Sequence, residues 1–534
     1  MLSKCIALVL AAAYLASAAS ATTRINPWSH PHVFTISDAE FVSTLNPHLN
    51  QSAPVANMSE LTMAWLVRWD EHNQPYPELA TEVPSTANGD VSADGRTITY
   101  HLRKGVVWSD GTPFTADDVV FSTKVVNTKA NNEQTRLDVI SKVDEPDKYT
   151  VVYHLNKLYS PFVEAFFSSC CANPSILPKH LLARYPNINN IPYNDLPVGI
   201  GPFKFSRWDR GKQVVLVANP LYWRGRPKLD EIVYDIVPNR DALLAQVRAH
   251  KVDMWYQFGG AYLARIQAVN GYTVLKQPSY AYNHIDFNIT HPVVADTIVR
   301  QALRLALDRP EILDKVAHGI GVVQDTATPI NAPYYVDMGT TPYDPAKANA
   351  LLDQAGWTRG PDGVRAKNGV KFALNFAVVS GAPDTDRLVA FVAKDWQRVG
   401  VQVHVHHYSP SLYFAMGPDG VINGNRWDAI VFAWAADAMG DYSGYYGCNV
   451  FPPVGWNNVR WCNKTAQAAM DALFGHFEQA QRTADVKAVM QQLIRDTPTI
   501  VTSMRVDMFA CNQDLKNYHP NDLTIFDNMM NVDI

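Results

Sequence analysis

Hydrophobic positions recur along this chain with two periods. Ile98, Tyr100 and Leu102 alternate with polar residues, as do Val151, Tyr153 and Leu155. A period of two turns one side of a segment toward a core, so both segments are expected as half-buried strands. Between them, Thr115-Ala116-Asp117-Asp118 carries a capping-box pattern ahead of Val119, Val120 and Phe121, which predicts a helix start. The stretch from about Glu71 to Asp195 thus reads as an α+β unit.

Farther on, Phe372, Leu374, Phe376 and Val378 alternate as a strand. Leu388, Phe391, Val392, Asp395, Trp396 and Val399 then follow helical spacing, and Gly400 stops the helix. Val401, Val403 and Val405 predict a second strand, completing a β-α-β unit with parallel pairing. Ala429 to Ala433 is expected as a short apolar strand. Asp344-Pro345 offers an N-cap followed by proline in the first helical position. Ile298, Val299, Ala302, Leu303, Ala306 and Leu307 form an amphipathic stripe ended by Pro310, and Val486, Val489, Met490 and Leu493 another before Pro498. No repeat of 20 to 50 residues and no low-complexity tract appears.

The N-terminus places the chain. Lys4 precedes an apolar run from Ile6 to Leu15, and Ala19-Ser20-Ala21 is a small-x-small cleavage site. Met1 to Ala21 is therefore expected to be an export signal, with the mature chain starting near Thr22. Cys5 lies before the apolar run, whereas a lipoprotein carries its lipid-bearing cysteine after it. A soluble periplasmic protein is expected, since no later stretch has the length of a membrane span. Export leaves Cys170, Cys171, Cys448, Cys462 and Cys511 in an oxidising compartment. Cys448 and Cys462 close a short loop and are the best-placed pair. Cys170 and Cys171 are adjacent and unassigned, and an odd total leaves at least one thiol free or bridged elsewhere.

The 534 residues suggest three or four domain-sized units. With 47% hydrophobic residues and 18% charged, the chain has ample apolar surface for large cores. A net charge of −5 argues against nucleic acid or an anionic membrane as the main partner. Catalytic constellations are missing: there is no G-x-S-x-G elbow, no H-E-x-x-H helix and no P-loop. Gly199-Ile200-Gly201 begins like a dinucleotide loop, but no third glycine follows. His404, His406 and His407 form the most metal-like cluster. With no nearby carboxylate or cysteine to complete a ligand set, they read as a polar strand face. No metal or other cofactor is expected.

One block changes the picture. Residues 92–122, SADGRTITYHLRKGVVWSDGTPFTADDVVFS, resemble the signature of the peptide/nickel-class (family 5) solute-binding proteins of ABC importers. Further blocks fit the same family in order: Leu45-Asn46-Pro47-His48, PVGIGPFKF at 197–205, NPLYWRGRPKLDEI at 219–232, VRQALRLALDR at 299–309 and YDPAKANALLDQAGW at 343–357. Each also has a plain folding role. Asp110-Gly111 makes a tight turn, and Gly199 and Gly201 flank a point where the chain must turn without a Cβ.

The resemblance implies an α/β, two-lobed periplasmic-binding fold (type II) with an extra α+β domain and a hinged cleft. Residues 22–70, 196–285 and 498–534 would form the first lobe, 71–195 the extra domain packed on it, and 286–497 the second lobe. The chain would cross the hinge near Tyr282 to Asn288 and near Thr497 to Ser503. Trp434 and Asp437 match the family's W-x-x-D element, whose aspartate holds the α-ammonium of a peptide. Asp437 would lie just past a strand's carboxyl end, where open α/β sheets bind ligands; the bland alternative is a helix cap. Ser52 and Ala53, in Gln51-Ser52-Ala53-Pro54, align with a loop that pairs with the ligand backbone, or form a plain proline-ended loop. Cys448 and Cys462 fall where several members carry a disulfide-closed loop. One departure stands out: the arginine that dipeptide-specialised members use for the ligand carboxylate is replaced at about Val379, and Arg387 lies inside the helix.

The expected function is capture of peptides in the cleft and delivery to an ABC permease, by a monomer that performs no chemistry. The alternative keeps the fold and binds a metal chelate, haem, an opine or an oligosaccharide. A secreted hydrolase and a chaperone-like holder of unfolded segments are the rivals from other classes.

Overall fold

The computed structural model describes residues 26–50, 52–132, 138–169, 174–415, 419–452, 454–521 and 523–534. The expected export signal, the new N-terminus at Thr22, Gln51, and the thiols Cys170 and Cys171 lie outside the described residues.

The strands of the large sheet and of the α+β unit's own sheet are, in chain order, β1 (Val33–Asp38), β2 (Thr97–His101), β3 (Ile140–Asp147), β4 (Thr150–Leu155), β5 (Phe203–Asp209), β6 (Gln213–Ala218), β7 (Glu231–Ile236), β8 (Met254–Trp255), β9 (Tyr272–Phe287), β10 (Ala373–Val379), β11 (Gln402–Tyr408), β12 (Ala429–Ala435) and β13 (Thr499–Asn512). Ten of them form one sheet, in the order β11-β10-β12-β9-β13-β8-β1-β7-β6-β5. Two apolar cores lie at its two ends. Phe34, Ile36, Leu216, Tyr234, Phe509 and Phe526 belong to the first. Phe287, Leu374, Phe376, Val392 and Trp396 belong to the second. The long strands β9 and β13, of 16 and 14 residues, run between the two cores. They pair antiparallel, with register shifts between Pro278 and Tyr282 and between Asn283 and His284. A ladder broken at those points bends more readily than a regular one. The fold is thus α/β and two-lobed.

A third core belongs to the α+β unit. Strands β2, β4 and β3 form an antiparallel sheet of their own, in that order. Tyr100, Trp108, Val119 and Tyr153 are buried between this sheet and the helix Ala116–Asn127. The expected capping box is present, with Thr115 N–H donating to Asp118 Oδ2 at 3.1 Å. Gly199 and Gly201 are needed for close approach. A Cβ on Gly199 would stand 1.9 Å from the Thr62 carbonyl oxygen, and one on Gly201 would stand 2.6 Å from that of Leu61. The end of helix Ala53–Thr62 thus rests directly on this glycine pair.

The β-α-β unit forms as expected: β10, the helix Pro383–Arg398 and β11, with the strands parallel from Ala373↔Gln402 to Val379↔Tyr408. Leu388, Val392 and Trp396 face inward, and Trp396 Nε1 donates to the Leu303 carbonyl at 3.0 Å. Gly400 stops the helix at φ +85°, where a side chain would be strained. Asp344 caps helix Pro345–Gln354 through the Lys347 amide. Two expectations need correction. Pro310 does more than end a helix: helix Thr297–Leu305 stops earlier, and Pro310 sits in the first turn of the next one, Arg309–Val316. The strand expected at Ala429–Ala433 extends to Ala435, because β9 continues to pair with it through Ala281↔Ala435. Trp434 is therefore inside the strand.

Candidate functional site

The site begins with an incomplete strand pairing. On one side β12 pairs with β9 over its whole length, from Phe287↔Ala429 to Ala281↔Ala435. On the other side β10 pairs with it only at Phe376↔Ala429 and Ala377↔Ile430. Beyond Ile430, the main-chain edge from Val431 to Ala435 has no partner strand among the described residues. A cleft of about 680 Å³ opens there, within the size range of ligand sites. Val379, Phe414, Phe432 and Ala433 line it from one side, and Gln257, Phe258 and Gly259 from the other.

Successive side chains of a strand point to opposite faces, so Phe432 and Trp434 share one. Trp434 meets Phe432 at 5.0 Å, Tyr445 at 4.8 Å and Trp456 at 5.6 Å between ring centroids. This aromatic group adjoins the cleft through Phe432. Two residues past the end of β12, the half-buried Asp437 accepts hydrogen bonds through Oδ1 from the amides of Met439 (2.8 Å) and Asp441 (3.0 Å). Its main-chain carbonyl accepts from the Tyr334 hydroxyl. Burial, and then the neighbouring Asp441 carboxylate, push the Asp437 carboxyl up to about 6. Burial also raises Asp441. Tyr445 is pushed up to about 12 by burial and by these two carboxylates. Burial and the same carboxylates raise Tyr159 of the α+β unit. Both rings therefore stand within electrostatic range of the acids. The arrangement suits a cation with an apolar flank: two acidic groups whose charge is poorly solvated, beside a group of aromatic rings.

Ser52 and Ala53 stand apart from that group. Ser52 is the N-cap of helix Ala53–Thr62, and its carbonyl accepts from the Val55 and Ala56 amides, each at 3.0 Å. Its own N–H donates to Asn50 Oδ1 at 2.8 Å. Ser52 Oγ is buried without a hydrogen-bond partner among the described residues. Ala53 packs on the first core, whereas Trp434 packs on an aromatic cluster that includes Tyr282, Tyr442 and Trp461.

Cys448 and Cys462 form a disulfide, and Cys511 is a buried free thiol. His404, His406 and His407 lie exposed on edge strand β11. His406 is 3.2 Å from Asn375 Oδ1, and His407 is 2.8 Å from Asp386. Among the described residues no group of three metal-ligating side chains exists, and no helix is long and apolar enough to cross a membrane. Val379 ends β10 on the cleft wall, and Arg387 pairs with Asp384. Tyr159, Asp441, Tyr445 and Trp456 escaped the sequence reading. For Asp441 and Tyr445 the available signal was aromatic and acidic density within about a dozen residues of Trp434; Tyr159, far earlier in the chain, had no such signal.

Two lobes on one sheet, joined by paired strands and holding a cleft between them, define a solute-binding protein. The family profile described as "Bacterial extracellular solute-binding proteins, family 5 Middle" matches residues 74–450, and the chain belongs to that family. It is 27% identical over 435 residues to the oligopeptide-binding protein AppA of Bacillus subtilis (strain 168), covering 78% of each chain. It is 25% identical over 459 residues to the dipeptide-binding protein of Escherichia coli (strain K12), covering 80% of this chain and 82% of that one. Its fold is similar to that of AppA from Bacillus subtilis in complex with a nonapeptide. The TM-score is 0.74 at 23% sequence identity, over 94% of this chain and 98% of that one.

Proposed function

We propose that this protein captures peptides in the cleft beside β12 and delivers them to the permease of an ABC importer. The observation that carries the reading is the free edge from Val431 to Ala435. The Val431 carbonyl accepts from the Tyr413 hydroxyl at 2.7 Å; beyond it the main-chain groups that face away from β9 can take an added strand, and a peptide read through its main chain is accepted with many different side chains. Asp437, just past that edge, holds the ligand's α-ammonium, with Trp434 beside it. Ser52 offers its buried hydroxyl, and Ala53 the start of a helix, from the first lobe. Relatives named as oligopeptide- and dipeptide-binding proteins support the same ligand class. In this reading the first lobe comprises 22–70, 196–285 and 498–534, the extra domain 71–195, and the second lobe 286–497. The protein works in the periplasm as a monomer once residues 1–21 are removed, and the permease's ATPase supplies the transport energy.

Calorimetry with paired ligands tests the anchor. Asp437→Asn keeps the shape and removes the charge, which is expected to cost about 2–5 kcal/mol of affinity. N-acetylation of the peptide should cost a similar amount on the wild type and little more on the variant. Independent, additive losses would show that Asp437 does not hold the amino group. If neither change matters, the ligand carries no free amine there.

A further inference from the structure

Besides Tyr262, the cleft walls carry six acidic, basic or imidazole side chains: Glu40, Arg240, His318, Asp384, Arg505 and Asp507. Most of the charges already have a counterpart. Arg240 faces Asp38 and Glu40. Asp384 is paired with Arg387. Asp507 is the acid that Arg505 faces, but its carboxylate is already taken up by Gln257 Nε2, at 2.9 Å, and by the Ser279 hydroxyl. Arg505 itself is exposed on β13 and forms no ion pair or hydrogen bond among the described residues. A guanidinium offers five donors in a planar fork suited to carboxylates. Here it stands in a cleft shared by both lobes, with Ser503 two residues away on the same strand face. Asn283 lies across from Ser503, and its Nδ2 donates to Ser503 Oγ at 3.3 Å. Val379, at the end of β10, lines the same cleft.

We infer that Arg505 is the anion-binding group of the cleft and holds a carboxylate of the bound peptide, with Asn283 and Ser503 as flanking polar contacts. This rests on the peptide reading above. That carboxylate comes from the peptide's C-terminus or from an acidic side chain; the chemistry at Arg505 is the same.

The test starts with wild-type protein and a pool of random tri- to hexapeptides, with captured peptides identified by native mass spectrometry. One captured peptide is then made in three forms: unmodified, C-terminally amidated, and with its acidic side chains changed to amides. A charge-assisted contact in a partly desolvated cleft predicts a roughly 10- to 100-fold affinity loss for one of the two modified forms. That form names the source of the carboxylate. Arg505→Gln should bind all three forms with nearly equal, weak affinity while keeping its sensitivity to N-acetylation, and Arg505→Lys should recover part of the discrimination. If peptides bind and neither modification matters on the wild type, Arg505 is not the anion site, and the peptide reading stands. If Arg505→Gln weakens all forms by one common factor and preserves the discrimination, its role is structural and the inference fails. If the wild type captures no peptide from the pool, the peptide reading falls and the inference with it.

Discussion

Two guanidinium groups tie the α+β unit to its surroundings, in contrasting ways. Arg68 is 2% exposed. It lies 3.0 Å from Glu78 and 2.9 Å from Asp527, and donates to the Glu60 carbonyl at 2.9 Å. Three separate stretches of chain, before, within and long after the α+β unit, thus meet on one cation. Glu60 is itself buried, and burial lifts its carboxyl to about 8. Arg482 instead meets one carboxylate, Glu164, at 2.9 Å, and donates to the Met439 carbonyl at 3.2 Å. Its surroundings are a few contacts: Ser160 donates to the carbonyls of Phe474 and Leu473, each at 2.8 Å, and Tyr159 stacks on Phe474 at 5.5 Å. Separating the first joint would strand buried charges, whereas separating the second leaves groups that water can reach. The first is built as a fixed joint and the second as one that can open.

The largest effect expected from this contrast is on stability. Arg68→Met leaves Glu78 and Asp527 buried without a cation, which should cost about 3–5 kcal/mol in denaturant unfolding while leaving peptide affinity nearly unchanged. A loss below about 1 kcal/mol would remove the distinction between the joints.

Next in size is a pH effect at the acid near the second joint, since Arg482 pulls Asp437 downward in pKa. The Asp437 carboxyl takes up a proton on folding, because its folded value of about 6 lies above the ordinary aspartate value of 3.8. Its contribution to the stability of the empty protein is therefore greatest at low pH and declines as pH rises through about 6. Binding runs the other way, because an ammonium needs the carboxylate. Affinity should fall by about tenfold per pH unit below 6, with proton release on binding seen by calorimetry in two buffers. Asp437→Asn should flatten that profile; an unchanged slope would place the titrating group elsewhere.

The smallest effect belongs to Glu164→Gln. The Gln side chain keeps a carbonyl acceptor for the buried Arg482 guanidinium, and Glu164 itself is 20% exposed, so the loss should stay near about 1 kcal/mol and the melting temperature should barely move. The ligand-free protein should show a larger radius of gyration in X-ray scattering, with the peptide-bound form unchanged. A large drop in stability instead would make the second joint as fixed as the first.

Neither joint was legible in the sequence, whereas much of the fold was. The β-α-β unit, the capping box at Thr115 and the cap at Asp344 rest on contacts within a few residues, and periodicity records those. Gly199 and Gly201 stood out only as glycines; that they make room for the carbonyls of Leu61 and Thr62 depends on packing across more than 130 positions. Arg68 and Asp527, or Glu164 and Arg482, are separated by hundreds of residues, and no local pattern marks one charge as the other's partner. The same holds for Arg505. Trp434 and Asp437 were found through a short motif, but the motif carries no information on where β12 ends. That is set by β9 pairing as far as Ala281.

The first core has a further consequence, for the order in which the molecule can be made. Phe34 and Ile36 come from its first described strand, and Phe526, Met529, Val532 and Ile534 from its last ten residues. A chain delivered from its N-terminal end presents the first group almost five hundred residues before the second. Until the last of them emerges, β1 and β7 have an unfinished floor beneath them, and the N-terminal half must wait with apolar surface exposed. Such long-range closure slows folding and lengthens the time a nascent chain depends on chaperones. The second core, whose residues all lie between Ile285 and Ile500, has no such wait, so the two lobes of one protein mature on different clocks.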